Sequence, residues 1–155
     1  MRHNPDTALE VALEQRQHRL DQERQVLSEH LRAVQDQLEL FNTAQARVRM
    51  VIRQIDAAQR PAPGVALAVA LLGDLERVLD WCQVQVMVQE QRLETVQSEA
   101  EQARGMVATA HQAVRALEVV LQNRVAEREE KVRRTELQQA DEIAARVHSR
   151  NLVLR

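Results

Sequence analysis

Arg60-Pro61-Ala62-Pro63-Gly64 is the stretch that decides how this chain folds. Upstream of it no proline or glycine occurs back to Pro5, and downstream there is no further proline and only Gly73 and Gly105. Both flanks are dominated by Ala, Leu, Val, Glu, Gln and Arg, most of them strong helix formers. A proline inside a helix costs ~3 kcal/mol or more because it removes a hydrogen bond and its ring strikes the preceding turn. Pro61, Pro63 and Gly64 so close together therefore predict one sharp break between two long helices.

Each flank carries heptads. Leu13, Leu20, Leu27, Val34, Phe41, Val48 and Ile55 recur every seventh residue in the first flank, and their companion column is taken as Glu10, Gln17, Arg24, Leu31, Leu38, Gln45 and Ile52. In the second flank Leu72, Leu79, Val86, Leu93, Ala100, Val107, Val114 and Leu121 form one column. Leu75, Cys82, Gln89, Val96, Ala103, Ala110 and Leu117 form the other. Folding back at the break pairs positions whose numbers sum to about 127, so Phe41 faces Val86 and Leu27 faces Ala100. The expected fold is all-α: an elongated, two-helix antiparallel coiled-coil hairpin with a longer C-terminal helix overhanging the pair. It is one domain over 1–155, with helix one about 6–60, a turn at 61–64, and helix two about 65–150, unpaired beyond about 121.

Composition excludes most other classes. One Phe, one Trp and no Tyr leave too little aromatic bulk for a rounded core. A net charge of -2 with both signs interspersed gives no basic stripe for nucleic acid and no polybasic anchor for a membrane. The longest uncharged apolar run, Val65 to Gly73, is far short of the roughly 20 residues that span a bilayer, so no membrane insertion is expected. Cys82 has no second cysteine to bridge to and there is no signal-peptide pattern, which places the protein in a reducing cytoplasm. His3, His18, His30, His111 and His148 are dispersed. No phosphate loop or nucleophile elbow occurs, so no metal, no cofactor and no enzyme activity is expected.

Two regions exceed what a two-helix seam needs. Past Leu121 the helical composition continues without a partner for about 30 residues, roughly 45 Å of helix. This overhang contains Arg124, Glu127, Arg128, Lys131, Arg133, Arg134, Glu136, Asp141 and Glu142, with i,i+4 pairs such as Glu127 with Lys131 and Glu130 with Arg134. Its sparse apolar set, Val125, Val132, Leu137, Ile143 and Val147, predicts docking in something external. At the other end the run from Val65 to Leu72 is apolar all round the helix. Val65, Leu67, Val69 and Leu71, extended by Trp81 and Met87, read as a partner patch and leave self-association open.

Residues Ala116 to Arg146, ALEVVLQNRVAEREEKVRRTELQQADEIAAR, resemble the stalk proteins of type III secretion, the flagellar FliJ family and its injectisome YscO-type counterparts. The features that match are Leu117, Glu118, Leu121, Arg124, Glu127, Arg134, Glu136, Asp141, Glu142 and Ala144. The resemblance implies a non-enzymatic stalk, cytoplasmic and peripheral to the inner-membrane secretion apparatus. Its terminal end would enter the hexameric secretion ATPase through the charged residues of the overhang, and its turn end would reach the membrane export gate through the apolar patch. Two other classes fit the residues alone: a homo-oligomeric coiled-coil scaffold or adaptor, and a holdase-type secretion chaperone gripping clients with the turn region.

Overall fold

The computed structural model describes residues 5–64, 66 and 68–153, with side chains described for 7–64, 66 and 68–150. It contains two helices, α1 (Pro5–Gln59) and α2 (Val69–Val153), which pack against each other. Among the described residues there is no strand. Pro5 suits the first position of α1, since a residue there has no intrahelical partner for its N–H.

The helices end and begin for local reasons. At the close of α1 the Arg60 N–H donates to the Ala57 carbonyl at 3.3 Å, a tightened last turn, and Pro61 then forbids continuation. Gly64 has φ of 87°, the left-handed region open to glycine, and so reverses the chain. The first helical bond of α2 runs from the Leu72 N–H to the Ala68 carbonyl, 3.1 Å. Thus α2 starts at Val69 rather than near 65, because 65 to 72 offers no Ser, Thr, Asp or Asn to cap an earlier turn.

The chain divides into two compact units, Asp21–Thr109 and Met1–Leu20 with Ala110–Arg155. In the first, the buried residues are small: Ala44, Val51, Cys82, Ala100 and Ala103, all at most 7% exposed. The Gln37 side-chain amide donates to Gln89 Oε1 at 2.7 Å and more weakly to the Gln89 carbonyl oxygen at 3.4 Å. That pair lies one residue from the expected reflection about the turn. Leu27, Val34, Phe41, Val48 and Ile55 are half-buried, as a seam column must be, and on α2 both expected columns are buried or half-buried.

The companion column on α1 differs from expectation. Leu31, Leu38 and Ile52 are 41%, 42% and 42% exposed, whereas His30, Gln37, Ala44, Val51 and Ala58, each one residue earlier or six later, are buried or half-buried. A heptad column can be completed three residues before or three after it. Hydrophobicity favoured the former, but the Gln37–Gln89 bond sets the latter against α2.

In the other unit Leu20, Ala110 and Val114 are buried, and Leu9, Leu13, Leu117 and Leu121 are half-buried. Beyond Leu121 the helix continues unbroken to Val153. Arg124 and Glu130 retain partial cover, and every residue from Lys131 to Arg150 is exposed.

Candidate functional site

The C-terminal part of α2 holds its apolar residues by helical spacing alone. Val125, Val132, Ile143 and Val147 follow one another at intervals of seven, eleven and four, each close to a whole number of turns. They form one stripe, exposed at 46%, 57%, 61% and 54%. Leu137, 59% exposed, stands five residues past Val132 and so falls off that stripe by more than a third of a turn.

The charged residues around the stripe interact mainly along the helix. Glu130 accepts from Arg134 at 3.0 Å and faces Arg133 at 3.5 Å, Arg146 reaches Glu142 at 3.7 Å, and Arg128 Nε donates to the Arg124 carbonyl at 3.2 Å. The expected pair of Glu127 with Lys131 is not among the ion pairs of the described residues. Glu127, Lys131, Glu136 and Asp141 are exposed. Exposed pairs of this kind contribute ~0.3–0.5 kcal/mol each, so they hold the helix lightly.

The turn-side residues occupy more than one side of α2. Val69 and Met87, 73% and 63% exposed, are eighteen residues and five full turns apart, hence on one side. Leu71 shares another side with Val78, seven residues on, and Trp81, 55% exposed, lies between the two sides. Val65 and Leu67 lie outside the described residues.

A surface absent from the sequence reading lies in the Asp21–Thr109 unit. Gln45, Val48 and Arg49 of α1 with Gln83, Val86 and Met87 of α2 line an apolar groove of about 550 Å³. Leu38 and Ile52, which the heptad pattern had suggested for the seam, stand one heptad either side of the lining residue Gln45 and are exposed. Among the described residues no group of three or more His, Cys, Asp or Glu could hold a metal ion. Among the described residues no helix is long and apolar enough to cross a membrane.

The family described as Flagellar FliJ protein matches residues 5–152 of the chain. No curated protein and no solved structure matches it.

Proposed function

The chain belongs to the flagellar FliJ family, and from that premise we propose that it is the stalk of the export apparatus, its C-terminal α2 segment seated in the hexameric secretion ATPase and its turn-side apolar residues directed to the membrane export gate. The protein is a component of the flagellar export apparatus. One observation supports the finer assignment most: α2 stays helical to Val153 although every residue from Lys131 to Arg150 is exposed. An isolated helix gains little from propensity alone and is normally stabilised by packing an apolar face. The stripe Val125, Val132, Ile143 and Val147 is such a face, and a ring-shaped ATPase supplies a cover for it.

The assigned work is mechanical rather than catalytic. Arg124, Glu127, Arg128, Lys131, Arg133, Arg134, Glu136, Asp141 and Glu142 present both signs around the segment, so successive subunits of a ring meet similar, individually weak contacts. No single rotational state then becomes a deep trap. Val69, Leu71, Trp81 and Met87, with Val65 and Leu67, are the residues assigned to the gate.

Two variants test this. Deleting residues 122–155 is expected to leave the Asp21–Thr109 unit folded by circular dichroism and to abolish capture by the cognate ATPase. Replacing Val65, Leu67, Val69 and Leu71 with serine is expected to spare ATPase capture and reduce secretion. Full ATPase binding by the truncated chain would refute the placement of the C-terminal segment.

A further inference from the structure

We infer that the groove between Gln45 and Met87 of one molecule receives the residue 121–150 helix of a second copy, in a head-to-tail contact that occupies the stripe assigned above to the ATPase and therefore forms only while that helix is outside the ring.

The groove's own banks define what fits it. Leu38 and Ile52 stand one heptad either side of the lining residue Gln45 and Leu31 one heptad further, so α1 carries exposed apolar residues that flank the groove beside its two seam columns. A two-stranded seam needs only two columns, and a helix with a third is shaped to pack on two neighbours. The α2 bank is acidic. Glu76 and Glu90 lie one heptad either side of Gln83, and Asp80 and Glu94 one heptad either side of Met87. All four are exposed, and none takes part in the ion pairs of the described residues. The occupant is therefore an amphipathic helix with an apolar stripe, a basic edge toward α2, and an acidic group for Arg49 in the groove wall.

The chain carries such a helix. Its stripe is Val125, Val132, Ile143 and Val147, more than two-fifths exposed throughout. Arg124, Arg128, Lys131 and Arg146 fall along one edge of that stripe by helical spacing, with Glu142 the acid among them. Glu129 and Glu136, each four residues past a stripe valine, interrupt the stripe and supply the counter-charge to Arg49. Seating this helix completes a three-helix layer and covers both unpartnered apolar surfaces at once. Because the two surfaces differ, each bound copy still offers a free groove or a free helix, and association is open-ended.

Complementation distinguishes this contact from others. By sedimentation velocity the wild-type average mass is expected to rise with concentration past twice 17.8 kDa and to fall again in high salt. A groove variant, Leu38→Ser with Glu90→Lys and Glu94→Lys, and a helix variant, Val132→Ser with Ile143→Ser, are each expected to stay at 17.8 kDa. Their equimolar mixture is expected to form a dimer and nothing larger, since one intact groove meets one intact helix. These positions are exposed, and unchanged helicity by circular dichroism confirms that the variants fold. A wild type that stays monomeric at several hundred micromolar, a mixture that stays monomeric, or either variant associating by itself would overturn the inference. A closed dimer indifferent to both sets of changes would also overturn it, and would point to a symmetric contact elsewhere.

Discussion

Val51 and Ile52 are neighbours in sequence and opposite in role, and truncating each to alanine tests the seam directly. Val51 is 3% exposed in the seam, while Ile52, the residue that the hydrophobic pattern favoured, is 42% exposed. Val51→Ala removes two carbons, about 1.6 kcal/mol of transfer free energy at ~0.8 kcal/mol per methylene. A residual cavity adds to this, and the better helix propensity of alanine returns about 0.5 kcal/mol, leaving a loss of roughly 2 kcal/mol. Ile52→Ala removes three carbons, but from a side chain largely in water, where no cavity forms. Propensity offsets most of what remains, for a net loss of about 0.5 kcal/mol or less. At ~2–4 °C per kcal/mol for a chain of this size, Val51→Ala should lower the melting temperature by about 4–8 °C and Ile52→Ala by no more than about 2 °C. Urea titrations followed by circular dichroism at 222 nm supply the free energies. Equal losses, or a larger one for Ile52→Ala, would show that the α1 seam runs through Leu31, Leu38 and Ile52 after all.

Two further changes probe the same helices. Gly105→Ala should stabilise the protein by up to ~1 kcal/mol, since a methyl there meets nothing within 4 Å and glycine is a poor helix former; a melting temperature that falls would show that α2 is constrained at this site. In the Gln37–Gln89 layer, Gln89→Leu should cost about 1 kcal/mol by leaving the Gln37 amide short of a partner, whereas the double change to leucine should match or exceed wild type. A double-mutant cycle with no coupling would remove the hydrogen bond from the account.

Much of this architecture was legible because it rests on strong local signals. Pro61, Pro63 and Gly64 have few conformational alternatives, and α2 shows both of its seam columns as unbroken heptads. The α1 companion column was not legible, because the true column contains His30, Gln37 and Ala44, which score as polar or small, beside the larger Leu31 and Leu38. Size misled there: a close seam selects residues that fit between helices, and those left outside are the bulkier ones. The C-terminal stripe could be found from spacing, yet Leu137 was counted with it because composition ignores helical phase. The groove was legible only at Met87, because Gln45 on its α1 bank had been assigned to the seam and Val48 and Val86 belong to seam columns.

What fixes the register follows from where the charges go. Arg24 with Asp21, Arg77 with Asp74, Arg104 with Glu101 and Arg115 with Glu118 are all pairs three residues apart on one helix, so they steady that helix without choosing its partner's alignment. His30 does reach across to Glu99, but at 3.7 Å and with both side chains a third or more exposed. Small buried residues such as Ala100, Ala103 and Ala110 tolerate several alignments, because alanine fits opposite almost anything. Gln37 and Gln89 do not. Slipping α2 by one heptad one way would bring Val96 opposite Gln37 and Ala44 opposite Gln89, leaving two half-buried amides without partners at about 1 kcal/mol each. Slipping it the other way would bring Cys82 opposite Gln37 and His30 opposite Gln89, leaving the Gln37 amide short of a partner. A layer that adds little to stability in the native alignment thus disfavours the neighbouring ones, most of all the slip that sets Gln37 against Val96 and Gln89 against Ala44, whereas the intrahelical ion pairs are the same in every alignment.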